Sequence, residues 1–316
     1  MTETFRLGTR GSALARTQSQ QIADRLSAVG GFDVELVEIR TDGDVLTGPL
    51  SQLAGGSSTG LFVARLREAL MDGTVDLAVH SLKDLPTAAA VGLSTVAIPL
   101  RADPRDALCT ASGAGLDGLA EGASVGTGSP RRAAQLRALR PDLEIVDVRG
   151  NVDTRLARLT PAADDSETEP RTLDAVVLAA AGLERLDRSE AISEYFEPAT
   201  MLPAPGQGAL SVELAQNVAP ALREAVAALD DEDTRLAVTA ERALLARLEA
   251  GCSAPVGALA QRKGSMLRLE ACVVSPDGQT VIRQARATDG LTEVGATLLG
   301  IELAEAMLAD GADALL

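Results

Sequence analysis

The chain has 316 residues, 46% of them hydrophobic and 23% charged, with a formal net charge of −16; this composition excludes bulk disorder and suits two or three domains, each able to bury its own core. The acidic balance excludes a broad nucleic-acid or anionic-membrane surface, so an anionic ligand has to be held locally. Cys109, Cys252 and Cys272 are too few and too odd in number for a disulfide framework, and the longest apolar run is far short of the about 20 residues that span a bilayer, so a cytoplasmic protein is expected.

In chain order, β-branched runs predict strands at 5–8, 32–39, 75–79 and 93–98, and amphipathic stretches predict helices at 13–28 and at 61–72, the latter closed by Gly73. Residues 99–106, rich in Pro, Arg and Asp, read as a crossover to a second domain. Strands are expected there at 124–126, 143–148 and 175–178, and helices at 130–139 and 153–159. The acidic run 162–169 reads as a solvated loop. Leu202-Pro-Ala-Pro-Gly-Gln-Gly208 reads as the return, sending strand 209–214 and helix 219–229 back to the first domain. The last third is different: helix 234–248, strands 256–259, 267–274 and 280–287, then helix 292–308, an α+β arrangement. The expected fold class is therefore α/β, with two tandem domains (1–101 with 208–227, and 102–207) and a smaller C-terminal α+β domain (228–316).

Three short echoes recur in one order. Leu7-Gly8-Thr9-Arg10-Gly11-Ser12 matches Val125-Gly126-Thr127-Gly128-Ser129, Ile39-Arg40 matches Val148-Arg149, and Val75-Asp76-Leu77-Ala78-Val79 matches Leu173-Asp174-Ala175-Val176-Val177. Two similar α/β domains whose strand-end loops face one cleft would give this pattern.

Both Gly-Thr turns open helices, where free N–H groups and the macrodipole favour an anion; Ser12 and Ser129 are natural N-caps and Pro130 suits the first helical position. Each turn alone is more simply read as a capped helix. Every cationic side chain except Lys83 and Lys263 is arginine, and Arg10, Arg131, Arg132, Arg149 and Arg155 cluster in or beside strand-end loops, where a bidentate grip on several carboxylates is the sharper reading. The segment Val79-His80-Ser81-Leu82-Lys83-Asp84 closes an apolar strand. Its histidine, the only one, reads more simply as a structural residue, whereas Asp84 is placed to stabilise a developing cation or move a proton. Cys109 and Cys272 sit in apolar patterns and read as small core residues, while Cys252, in a Gly/Pro-bounded turn beyond a long helix, reads either as an inert loop thiol or as the one cysteine positioned for attachment or nucleophilic use.

Taken in order, Gly8-Thr-Arg-Gly-Ser12, Ala78-Val-His-Ser-Leu-Lys-Asp-Leu-Pro86, Asp103-Pro-Arg-Asp106, Val125-Gly-Thr-Gly-Ser-Pro-Arg-Arg132, Arg149-Gly-Asn151 with Thr154-Arg155, Leu202-Pro-Ala-Pro-Gly-Gln-Gly208 and Gly251-Cys-Ser-Ala-Pro-Val-Gly257 resemble the porphobilinogen deaminase family of tetrapyrrole biosynthesis. The resemblance implies two domains like those of periplasmic binding proteins around an active-site cleft, and a third presenting a cofactor cysteine. It implies a dipyrromethane cofactor joined to Cys252 by a thioether, onto which four porphobilinogen molecules are deaminated and added before hydroxymethylbilane is released. Asp84 would be the catalytic carboxylate. Ser12, Ser81, Lys83, Asp84, Thr127, Ser129, Arg131, Arg132 and Arg155 would bind the cofactor, and Arg10, Arg149, Arg155 and Arg185 the substrate, with no metal, nucleic-acid or membrane partner and a monomeric protein. Two departures stand out: residues 55–60 lack a lysine often present in the family, and Ala250 and Ser253 replace residues often seen as glycine and glutamine. A non-catalytic binding protein for a carboxylated small molecule would use similar lobes but would not need the third domain with Cys252. An inactive homologue would be expected to have lost Asp84 or Cys252.

Overall fold

The computed structural model describes residues 3–39, 58–160, 171–250 and 254–316. They form β1 (Thr4–Thr9), α1 (Ala13–Gly30), β2 (Asp33–Glu38), α2 (Ser58–Met71), β3 (Leu77–Ser81), β4 (Leu93–Ala97), β5 (Asp106–Thr110), β6 (Ser124–Gly126), α3 (Pro130–Leu139) and β7 (Glu144–Val146). There follow α4 (Val152–Leu156), β8 (Ala175–Ala179), α5 (Ala180–Arg185), β9 (Glu194–Tyr195), β10 (Leu210–Ala215), α6 (Pro220–Ala227), α7 (Glu232–Arg247), β11 (Val256–Lys263), β12 (Met266–Val274), β13 (Val281–Thr288) and α8 (Glu293–Ala309). The chain divides into two compact units, Met1–Arg101 with Ala209–Arg235, and Ala102–Gly208 with Leu236–Leu316.

The first unit is built on a five-stranded sheet of order β2-β1-β3-β10-β4. β1, β2 and β3 run parallel, and β10 is antiparallel to both β3 and β4. Ser12 starts α1 by accepting the Ala15 N–H at 3.3 Å, and Gly31, at φ +67°, ends it in the left-handed conformation. The apolar stripe Ile22, Ala23 and Leu26 then packs with α6 on Phe5, Leu7, Val212 and Leu214. On the other face Leu66 and Leu70 of α2 cover Val75 and Ala78. A mixed sheet covered on both faces is what the short apolar strands require.

In the second unit the sheet of order β7-β6-β8-β5-β9 repeats that plan. Laying β6, β7, β8, β5 and β9 on β1, β2, β3, β10 and β4 matches both order and direction. Two of the sequence echoes fall on equivalent strands, β1 with β6 and β3 with β8; on its first side the other has only Ile39 among the described residues. Leu136 of α3 packs on Leu108, Val125 and Val177, while Leu183 of α5 and partly buried Leu156 of α4 cover Cys109, Val176 and Leu178. The antiparallel sheet β11-β12-β13 is covered by α7 and α8, with Leu244, Leu269, Leu299 and Leu303 at its core. Its other face meets α3 through Ala134, Leu259, Cys272 and Val274.

Three regular elements differ from the sequence expectation. Residues expected to lead out of the crossover form β5, whose five residues are all buried and so show no alternation. β9 is only two residues long. The apolar run 175–183 is a strand followed directly by α5; both are buried, so neither period is visible. The run 162–169 lies outside the described residues.

Candidate functional site

In the first unit, β3 ends in His80 and Ser81, and a single 3₁₀ turn, Leu82–Asp84, follows. The Leu82 N–H donates to the Ala209 carbonyl at 3.0 Å, and Ser81 Oγ donates to Gln18 Oε1 at 3.2 Å, tying the turn to the return strand and to α1. Arg10, Gln18, His80, Ser81 and Asp84 thereby line one small pocket of about 40 Å³. Lys83 and Asp84 are both half-buried. Behind the pocket, buried Glu213 of β10 is gripped by Arg67 of α2, with Nε at 3.0 Å from Oε2 and Nη2 at 2.7 Å from Oε1, and His80 Nε2 lies 3.2 Å from Oε2. Burial alone would raise the Glu213 carboxyl; His80 and Arg67 hold it down at about 2.

In the second unit, the turn between β6 and α3 is built by its own hydroxyls. Thr127 Oγ1 accepts the Ser129 N–H at 3.2 Å, Ser129 Oγ accepts the Arg132 N–H at 3.4 Å, and Pro130 occupies the first turn of α3. A Cβ on Gly128 would lie 2.7 Å from the Val148 carbonyl oxygen, so only glycine lets the two loops pass this closely. Arg131 and Arg132, the second and third residues of α3, turn inward onto Asp106, the first residue of β5 and fully buried. Arg131 Nη1 donates to Asp106 Oδ2 at 2.6 Å and to the Leu202 carbonyl at 2.8 Å. Arg132 Nε donates to Asp106 Oδ1 at 2.9 Å and its Nη1 to the Val177 carbonyl at 3.0 Å, while Gln207 Nε2 donates to the same Oδ1 at 2.9 Å.

The charges in this cluster do not cancel. Burial would raise the Asp106 carboxyl, but the two guanidiniums and the hydrogen bonds from Arg131 and Gln207 hold it well below the usual carboxylate range. Burial lowers Arg132 below its ordinary value, the nearby positive charges of Arg131 and Arg155 add to this, and Asp106 opposes it. Arg131 Nε is buried without a hydrogen-bond partner among the described residues. Two buried guanidiniums thus share one carboxylate, leaving the cluster with net positive charge and one buried donor without a partner among the described residues.

The other residues singled out in the sequence are more dispersed. Arg155 Nε donates to the Gly150 carbonyl at 2.9 Å and Arg185 Nη2 to the Gly208 carbonyl at 2.9 Å; burial holds both guanidiniums below their ordinary value. Arg149 is exposed and pairs with exposed Asp147 at 3.1 Å. Cys109 and Cys272 are buried, and burial pushes the Cys109 thiol up to about 11. Cys252 lies outside the described residues, as do positions 55–57, whereas Ser58 to Gly60 already begin α2. On either side of residues 251–253, Ala250 and Ala254 line an apolar cavity of about 450 Å³ with Pro130, Pro255 and Leu315.

The sequence places Arg131 and Arg132 at the start of helix 130–139, beside a strand-end loop, as grips for ligand carboxylates. The structure puts them at that place in α3 but already engaged with Asp106, a residue given no role from sequence. Gln18, Arg67, Gln207 and Glu213 have no role from sequence; for Gln18, Arg67 and Glu213 the only signal is a polar residue on a helix's inner face or inside an otherwise apolar strand, and Gln207 sits in the turn 202–208 with none.

The sequence as a whole matches one family of known proteins. Residues 5–223 match the family model described as porphobilinogen deaminase, dipyromethane cofactor binding domain, and residues 235–309 match the porphobilinogen deaminase C-terminal domain. A porphobilinogen deaminase from Acidothermus cellulolyticus is 53% identical over 99% of this chain and 91% of its own, and one from Micrococcus luteus 48% identical over 98% and 94%. Among solved structures, a periplasmic substrate-binding protein of an ABC transporter from Coxiella burnetii aligns over 71% of this chain and 91% of its own, at 15% identity and a TM-score of 0.42. With both family models matched in order, and about half of its residues identical to such relatives over nearly the whole length, the chain belongs to the porphobilinogen deaminase family.

Proposed function

We propose that the two constellations carry separate parts of the family's reaction: the Asp84 pocket handles charge and protons at the reacting pyrrole, and the Arg131–Arg132 cluster holds carboxylates. The chain is a transferase that deaminates four porphobilinogen molecules and joins them head to tail, releasing hydroxymethylbilane and ammonia. Dipyrromethane, when bound, supplies the primer onto which the pyrroles are joined. The cluster suits such a carboxylate-bearing group, because two buried guanidiniums share the single charge of Asp106, which leaves excess positive charge, and Arg131 Nε has no partner among the described residues. This observation carries the reading.

The roles combine what the family resemblance implies with the chemistry of the side chains. Loss of ammonia from porphobilinogen leaves positive charge on the pyrrole, and ring condensation later releases a proton from carbon. The Asp84 carboxylate stabilises the first and accepts the second, with Arg10 and Ser81 lining the same pocket. Ser12, Ser81, Lys83, Asp84, Thr127, Ser129, Arg131, Arg132 and Arg155 hold the cofactor, Cys252 attaches it through a thioether, and Arg10, Arg149, Arg155 and Arg185 grip the substrate carboxylates. We divide the chain functionally into 1–101 with 208–227, 102–207 and 228–316. The enzyme acts as a cytoplasmic monomer without a nucleic-acid partner, in keeping with its charge of −16 and three cysteines; no described helix is long and apolar enough to cross a membrane.

The test is the intact mass of the denatured protein beside that of Cys252→Ser, before and after incubation with porphobilinogen. The reading expects an excess of two porphobilinogen units less two ammonia molecules in the parent and none in the variant. Full turnover by Cys252→Ser overturns the attachment. Asp84→Asn is expected to keep the mass excess and lose turnover; near-parental turnover reduces Asp84 to a structural residue.

A further inference from the structure

We infer that Glu213 is a positioning residue for the Asp84 turn and acts through His80, an inference that rests on the assignment of Asp84 as the catalytic carboxylate. Three elements meet at this point: Arg67 from α2, Glu213 from β10 and His80 from β3. The Glu213 and His80 side chains are 4% and 3% exposed, and Arg67 closes the cluster at 17%. A buried ion cluster is weak support for stability alone, since apolar packing often serves as well. What distinguishes this one is where it ends. His80 lines the pocket shared with Ser81 and Asp84, four residues before the end of the turn. The segment entering and forming β10 therefore meets the turn at two points, through the Ala209 carbonyl on the Leu82 N–H and through the Glu213 carboxylate against the His80 ring.

The geometry also gives Glu213 a direction. Its Oε1 accepts from Arg67 Nη2, while Oε2 lies between Arg67 Nε and His80 Nε2. Arg67 fixes the plane of the carboxylate by its two parallel bonds, and the carboxylate sets the charge that the His80 ring faces at 3.2 Å, a close contact outside hydrogen-bond geometry. Glutamine in place of Glu213 keeps the shape, but its amide cannot satisfy both partners with two acceptor oxygens, so the ring and the turn after it lose their reference point.

The test uses cofactor-loaded enzyme, with loading confirmed by intact mass, and compares Glu213→Gln, Arg67→Met and Asp84→Asn with the parent for kcat and KM. A second readout is the His80 ring resonance, which stands alone in the spectrum because the chain has one histidine. Glu213→Gln is expected to lower kcat about 10- to 100-fold with KM within about twofold, and to shift the His80 resonance. Arg67→Met, a change nearer the surface that leaves Glu213 beside His80, is expected to move both readouts in the same direction by less, and it carries the test if Glu213→Gln fails to fold. Parental kcat in the two cluster variants, with turnover lost in Asp84→Asn, overturns the positioning role while leaving Asp84 assigned. A fall in kcat with an unmoved His80 resonance overturns the route through His80. Parental turnover in Asp84→Asn overturns the underlying assignment instead.

Discussion

Replacing Asp106 by asparagine tests the charge cluster most directly. The amide oxygen of the new side chain would still accept from Arg132 Nε and Gln207 Nε2, which now meet Asp106 Oδ1 at 2.9 Å. Its amide nitrogen would then occupy the Oδ2 position, where Arg131 Nη1 donates at 2.6 Å, placing donor against donor. Two guanidiniums, 4% and 6% exposed, would be left without an anion. Breaking a buried ion pair by removing one partner costs about 3–5 kcal/mol, most of it the burial of uncompensated charge, so Asp106→Asn is expected to lose that much in urea titrations followed by circular dichroism. If the cluster also holds the cofactor, the purified variant should lack the mass excess of the parent. A loss under about 1 kcal/mol would refute the reasoning, because it would mean that solvent or another group already neutralises the arginines. Replacing Asp106, Arg131 and Arg132 together by apolar residues of similar volume is expected to cost less than Asp106→Asn alone, since no charge is then stranded.

Two further predictions concern the fold around these sites. Glu213, held at about 2 against an ordinary 4.5, has a depressed folded-state value; its contribution of about 3 kcal/mol is therefore present above the unfolded value and is lost as pH falls through the folded one. Urea midpoints of the parent should fall between neutral pH and about pH 3 by the equivalent of about 2 kcal/mol more than those of Glu213→Gln, and parallel acid profiles would refute the burial and pairing assigned to this carboxylate. Gly208, at φ +87°, would place a Cβ 2.6 Å from the Ala102 carbonyl oxygen, so Gly208→Ala should destabilise by about 1–3 kcal/mol in the same assay; an unchanged midpoint would show that the return loop can move.

Much of the architecture was legible because local signals agreed. Ser129, Pro130 and the apolar spacing after them mark α3, which the structure places at the expected residues 130–139. The strand-end motifs likewise marked the turns that present Asp84 and Thr127. What was illegible is pairing. Asp106 read as the end of a charged crossover, because its role depends on Arg131, Arg132 and Gln207, which lie 25 to 101 positions away in the chain. Glu213 sits in an apolar strand where only the unseen Arg67 and His80 explain a charge. The abundance of arginine was visible, but not which guanidiniums are already engaged inside the protein.

The repeat explains why the two buried carboxylates look unrelated. β10 and β5 hold the same place in their sheets, each antiparallel to the third parallel strand, β3 or β8. Register relates them further: Glu213 lies opposite Ala78, and Cys109 lies opposite Val176, the residue that the sequence echo equates with Ala78. Glu213 thus corresponds to Cys109, and Asp106, three residues earlier, points to the opposite face. The first sheet therefore directs its carboxylate toward α2, where Arg67 waits, and the second directs its own toward α3 and the two arginines. The segments after the equivalent strands diverge in the same way: β3 runs into the short turn ending at Asp84, while β8 continues into α5, which ends at Arg185. The two sheets thus share one plan but carry their buried charges on different faces, which is the asymmetry that the proposed division of labour between Asp84 and the Arg131–Arg132 cluster would use.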